Sequence, residues 1–185
     1  MKKIIAMLSV FITTGVTQAA TVSVGDFVVD SNSRSVTVDV LGTGFLQGVS
    51  GGGFSLNYNS NTISLNQSLS VFNAVWDLST TFNGVDGAYN IGVDSFNNEL
   101  LAGEADNFVI VSLVFDVVGS GVTALDLGAT VMWVSPGDFI TTFPKEFQAT
   151  YVDGSVAVSA VPLPAAVWLF LSGLGLIGFT AKKKK

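Results

Sequence analysis

Carboxylates are the groups this sequence offers for chemistry. It contains no Cys and no His. That removes thiol nucleophiles, Ser-His-Asp triads, imidazole acid–base steps, Fe–S clusters and His- or Cys-ligated metals. Among the fourteen acids, Asp94, Glu99, Glu104 and Asp106 cluster in a loop-rich stretch. A glycosidase needs two carboxylates about 5–10 Å apart across a sugar cleft. Spacing along the chain does not set that separation, and a solubilising acidic surface accounts for the same residues. No residue is assigned a catalytic role, and the chain reads as a non-enzyme. Hard oxygen donors also suit Ca²⁺, which takes six to eight of them. Asp94, Asn97, Glu99, Glu104 and Asp106 are the candidate ligands for a structural calcium ion, although the EF-hand order D-x-[DN]-x-[DN]-G is absent. No other cofactor is implied.

Aromatic rings form the second candidate set. Trp76, Trp133, Phe139 and Phe143, with Tyr89 and Phe96, would make a sugar-stacking platform if exposed; the alternative is core packing. The segment FITTFPKEF, residues 139–147, holds three Phe, a Pro and one of two cations between residues 21 and 160. Gly42-Thr43-Gly44 and Gly51-Gly52-Gly53 complete neither G-x-G-x-x-G nor G-x-x-x-x-G-K-[ST]. They read as flexible or bulged strand connections rather than a phosphate loop.

The elements that must position these groups lie between two basic ends. Lys2–Lys3, the apolar stretch Ile4–Val16 and the small residues up to Ala20 follow the pattern of a secretory signal peptide over residues 1–20, cleaved after Ala19 or Ala20. An uncleaved anchor helix is the alternative. At the other end, Val161-Pro162-Leu163-Pro164-Ala165-Ala166 precedes an apolar run, and Lys182–Lys185 follow. Residues 165–181 as a helix are about 25 Å long, just short of a hydrocarbon core, and lysine snorkelling covers the shortfall. This predicts one C-terminal transmembrane helix whose lysines stay cytoplasmic. Between the ends, residues 21–160 hold two cations, Arg34 and Lys145, and all fourteen acids, a net of −12. Such a body repels nucleic acid and anionic membrane surfaces.

The body has period two. Ser35–Val40, Phe54–Tyr58 and Ala88–Val93 alternate polar and apolar residues, as half-buried strands do. Val109–Val118 is apolar on both faces, with Val109, Val111, Leu113, Phe115 and Val117 on one side, and predicts a central strand covered on both faces. Further strands are expected near 27–29, 63–65, 71–76, 130–134 and 150–158. Asn59-Ser60-Asn61, Asn83-Gly84, Asp86-Gly87, Gly119-Ser120-Gly121 and Asp153-Gly154 read as turns. Short strands and frequent turns predict an all-β sandwich or barrel.

Two family resemblances add to this. Val161–Ala165, the apolar run and the lysine tail resemble the PEP-CTERM sorting signal in its VPLPA variant. That resemblance implies a transient membrane anchor removed by an exosortase-type sorting protease, in a Gram-negative bacterium that makes exopolysaccharide; a permanent single-pass anchor is the alternative. The body resembles the cohesin-like sandwich. Val22-Ser23-Val24-Gly25-Asp26 is similar to its opening strand, and Phe54-Ser55-Leu56-Asn57-Tyr58 to its F-x-L-x-Y-D-P segment, with Asn59-Ser60 where Asp-Pro is usual. Phe108–Leu127 is similar to its late strand pair, and Val156–Val158 to its closing strand. This implies a cohesin-like jelly-roll β-sandwich over residues 21–160. The expected function is that of an exported, non-catalytic cell-surface or extracellular-matrix binding module for a dockerin-like protein. The alternatives are an exopolysaccharide-binding matrix component and, remotely, a glycosidase.

Overall fold

The computed structural model describes residues 19–30, 32–46, 48–95, 107–136 and 145–160. They form two packed β-sheets. Sheet one runs β12 (Thr150–Val152), β1 (Thr21–Val24), β3 (Ser35–Thr43), β9 (Asn107–Val117) and β5 (Ile63–Leu65), with β6 (Val71–Phe72) also on β9. Sheet two runs β2 (Asp26–Val29), β13 (Gly154–Val158), β10 (Gly121–Val134), β4 (Gly51–Asn57), β8 (Ala88–Asp94) and β7 (Ser79–Val85), with β11 (Glu146–Phe147) on β10. Among the described residues no helix is long and apolar enough to cross a membrane. The expected tail helix, and all of the expected signal peptide except Ala19 and Ala20, lie outside those residues.

The period-two pattern dictates the layers. Val38 and Val40 of β3, Phe54 and Leu56 of β4, and Tyr89, Ile91 and Val93 of β8 all point into the space between the sheets and are buried. Their polar neighbours Thr37, Asp39, Asn57 and Asn90 face out. A fully buried Leu, Val or Phe contributes about 1.5–3 kcal/mol, so this alternation fixes which face each strand presents. A slip of one residue would turn the whole apolar set to water.

The first and last strands run parallel and change sheets together. β1 pairs β12 in sheet one; after Gly25, β2 pairs β13 in sheet two. The two sheets are thus joined at both ends of the described chain. Ser159 still donates its N–H to Val29 O, at 2.9 Å, so Ala160 leaves the sandwich beside the end of β2. β8 and β10 both finish at the opposite end, where Asp94 and Val134 pair Gly51 of β4.

β9 is central, between β3 and the β5/β6 edge, but its phase differs from a simple alternation. Val40 pairs Val111 and Leu41 pairs Val109, which leaves Ile110 as a bulge. The extra residue shifts the inward set by one. Phe108 faces the core before the bulge, Ile110 does so within it, and Val111, Leu113 and Phe115 do so after it. Val109 is therefore not in line with the others. Nor is the strand covered on both faces: Ser112, Val114 and Asp116 are half-exposed.

Candidate functional site

The outer face of sheet two is a regular surface, and it follows from residue size. β10, β4, β8 and β7 align their outward residues in cross-strand rows. One row is Gly128, Ser55, Asn90 and Asn83; the next is Asp126, Asn57, Ala88 and Val85; a third brings together Gly53, Gly92 and Thr81. All of these side chains except Asp126 and Val85 are Gly, Ala, Ser, Thr or Asn. Their side chains are short, and a fourth row, Gly51, Asp94 and Ser79, continues the face, so the four strands present a nearly flat surface carrying two carboxylates, Asp126 and Asp94, and no cation. The β7–β8 hairpin closes through the two-residue turn Asp86-Gly87, with Gly87 at φ 95°. Asn83-Gly84, predicted as a turn, lies inside β7 instead.

The inner side of that face is braced at both ends. At the β4 C-terminus, the Tyr58 hydroxyl bonds the Asp86 carboxylate and accepts the Leu65 N–H at 3.1 Å. This ties the β7–β8 turn to β5 of sheet one. Burial holds the Tyr58 phenol well above its ordinary pKa, and the hydrogen bond to Asp86 pushes the same way. Asn59 Oδ1 accepts the Asn61 N–H at 3.0 Å, the bond an Asp there would also make. The unusual residue at that position keeps the turn. At the other end, Trp133 Nε1 donates to Tyr151 Oη at 3.2 Å, and Tyr151 Oη donates to Gly53 O at 3.2 Å. Burial raises the Tyr151 pKa as well.

Trp133 explains the triglycine. Two bulges between Ala129 and Val134 let Val131 lie over the outer side of Gly53 and place Trp133 against the inner side of Gly52. A Cβ on Gly52 would sit 2.4 Å from two atoms of the indole. The segment Gly51–Gly53 is therefore ordered strand under a large ring, not a flexible connection.

This corrects the sugar-platform expectation for both tryptophans. Trp133 is fully buried, edge-on to Phe45 at 5.1 Å between centroids. Trp76 is 6% exposed and donates its Nε1–H to Ile110 O at 2.9 Å. An indole whose N–H finds a carbonyl inside the sandwich gains more from burial than from display. Phe139 and Phe143 lie outside the described residues.

Of the calcium candidates, Asp94 ends β8, where its Oδ1 accepts the Ser95 N–H at 3.0 Å. Asn97, Glu99, Glu104 and Asp106 lie outside the described residues. Among the described residues no group of three or more acids could hold a metal ion. Several acids there serve structure instead: Asp153 accepts the Leu127 N–H at 2.7 Å, and Asp39 accepts the Ser112 hydroxyl at 2.6 Å. Ala19 is exposed, whereas Ala20 is buried and its carbonyl accepts the Thr150 N–H at 2.8 Å. The motif residues Val161, Pro162, Leu163, Pro164 and Ala165 lie outside the described residues.

The flat face was not singled out from the sequence. Ser55, Asn57, Ala88 and Asn90 are the polar or small partners in the two alternating segments, so their outward direction was readable. That β4 and β8 are neighbours in one sheet was not.

Comparison with known proteins agrees with this architecture. A model of the PEP-CTERM protein-sorting motif matches residues 160–185. No curated protein matches the chain. The seventh ScaB type I cohesin of Pseudobacteroides cellulosolvens superposes with a TM-score of 0.63 at 15% identity, covering 78% of this chain and 96% of that one. CaCohA2 of Clostridium acetobutylicum gives 0.60 at 17% identity, over 79% and 94%. The Coh-OlpA–Doc918 structure of Clostridium thermocellum, a type I cohesin–dockerin complex, gives 0.58 at 13% identity, over 76% and 99%. The body has the cohesin fold, and residues 160–185 carry a PEP-CTERM protein-sorting motif.

Proposed function

We propose that this chain is an exported, non-catalytic binding protein whose sandwich engages a protein partner through the outer face of sheet two. The observation that carries the reading is the pairing of a whole cohesin-fold body with a sorting motif directly after it. Some of the similar solved cohesins are seen in complex with dockerins, so the partner proposed here carries a dockerin-like module. A flat face of small polar residues on a rigid sheet suits a protein surface better than a sugar ring. Burial of Trp76 and Trp133 removes two of the rings an exopolysaccharide platform would have used.

In this reading residues 1–20 direct export and are cleaved at Ala19 or Ala20, and residues 21–160 form the binding body. Residues 161–185 hold the protein in the inner membrane of a Gram-negative cell until an exosortase-type protease recognises Val161–Ala165. The protein then remains at the cell surface or in the matrix.

The test is capture of the host's surface fraction on immobilised protein, with and without calcium. The reading expects a defined protein to be retained by the wild type and lost with Asn90→Arg, which sets a long cation in the flat face. Retention of polysaccharide alone would replace the protein partner with a matrix role. Dependence on calcium would bring the Asp94–Asp106 segment, or the partner's own loops, into the account.

A further inference from the structure

The edge of β10 that faces away from β4 is only partly paired. β13 pairs it from Gly121 to Leu125, and β11 at Trp133 and Val134. Between these, the chain after β11 departs for sheet one, where β12 joins β1. Asp153 caps the Leu127 N–H. From Gly128 to Met132 no described strand pairs this edge. The gap contains a cleft of about 230 Å³ between Ala129–Met132 and Gln148–Ala149, with Trp133 and Tyr151 behind. Val131 and Met132 stand at it 56% and 40% exposed.

We propose that this gap is a second binding site, which takes an extended peptide strand from another protein. The strand's backbone completes the β10 ladder, one apolar side chain enters the cleft, and a basic residue meets Asp126 and Asp153. Three features select this occupant. Leu127 turns its N–H to this edge, where Asp153 takes it, and the two-residue period aims that of Ala129 the same way, into the gap. Open ladder groups of this kind are satisfied by strand addition. The cleft is smaller than the roughly 300–1,000 Å³ of a site for a whole small molecule, so it suits one side chain. Its lining carries no charge, while Asp126 and Asp153 are exposed at its β13 end. A cationic flank fits there, and a second copy of this acidic body does not. The site is on the sheet's edge, adjoining the flat face at Asp126 and Val131 but remote from Asn90, and holds whether or not that face binds a dockerin-like module.

The test is amide hydrogen exchange of the full chain in detergent micelles, with the probe peptide acetyl-Lys-Thr-Val-Leu-Val-Thr-amide. At about ten times the peptide's Kd, exchange over residues 128–132 should slow about tenfold. The same peptide with Asp in place of Leu should give no slowing. Ala129→Pro removes the donor at an edge position where proline is tolerated, and Val131→Asp puts a carboxylate at the cleft. Both should abolish the protection, and Val131→Asp should keep the wild-type melting temperature. Asn90→Arg should leave the protection intact, which separates this site from the flat face. The proposal is overturned if residues 128–132 are not protected or if protection survives both variants. It is equally overturned if protection rises with protein concentration alone, which would assign the edge to a second copy.

Discussion

Replacing Gly52 with Ala tests how the sandwich accommodates Trp133. The added methyl would lie 2.4 Å from two indole atoms and 2.9 Å from a third. An ordinary carbon–carbon contact is about 3.5–4.0 Å, so the ring must move by about 1 Å. It has little room, since Phe45 stands against it and Tyr151 holds its N–H. Overpacking of this kind costs about 1–3 kcal/mol. Losing the indole hydrogen bond adds about 1 kcal/mol, and the lower backbone entropy of Ala returns about 0.5–1 kcal/mol. The net expectation is about 2 kcal/mol, or a fall of about 7 °C in Tm for a body of this size. Gly25→Ala is the control, because its Cβ would touch only the Phe27 ring, at 3.8 Å, and should leave Tm within about 2 °C of wild type. Thermal unfolding followed by near-ultraviolet circular dichroism reads both the stability and the asymmetric indole environment. If Gly52→Ala melts with the wild type and keeps its indole signal, Trp133 is not packed on β4 and the reasoning is wrong.

Tyr58→Phe should cost about 1–2 kcal/mol, because it strips Leu65 N–H and Asp86 of a shared partner; urea unfolding at pH 7 measures it. Since the folded state raises the Tyr58 and Tyr151 pKa values, their contribution is full below about pH 10 and fades as pH rises through the folded values. Tyr58→Phe should flatten part of that alkaline loss, and urea midpoints from pH 8 to 12 that fall equally in both proteins would refute the link. Cleavage after Ala19 keeps the buried Ala20 and its bond to Thr150, so a body beginning at Thr21 should be about 1–2 kcal/mol less stable than one beginning at Ala20; denaturant titration of the two decides. Truncation after Ala160 should leave Tm unchanged because Ser159 makes the last ladder bond to Val29, and a marked fall would show that the tail belongs to the fold.

Much of the fold could be read from alternation. β3, β4 and β8 fall within a few residues of the segments predicted for them, because each carries buried residues at every second position. β7 escaped because Ser79–Val85 is an edge strand with one half-buried ring, Phe82, and its other apolar residue, Val85, lies three positions on and exposed, out of phase with a period of two. The phase of β9 was misjudged at Val109 because one bulged residue, Ile110, is invisible to a periodicity count. The site was less legible than the fold. Aromatic residue types suggested a platform, yet whether an indole faces water depends on which backbone lies opposite. For Trp133 that backbone is Gly52, contributed by a strand about eighty residues away in the sequence. The flat face depends in the same way on neighbours that only the strand order supplies. The sorting tail was legible as it stood, because its information is a short linear pattern.

The central claim is that the flat face of sheet two binds a protein. Its most direct measurement compares capture from the host surface fraction by the wild type, Asn90→Arg and Thr37→Arg, the last on the outer face of sheet one. The account predicts one defined protein bound by the wild type and Thr37→Arg and lost with Asn90→Arg, all three melting alike. Equal retention by all three, or loss with Thr37→Arg, would contradict it.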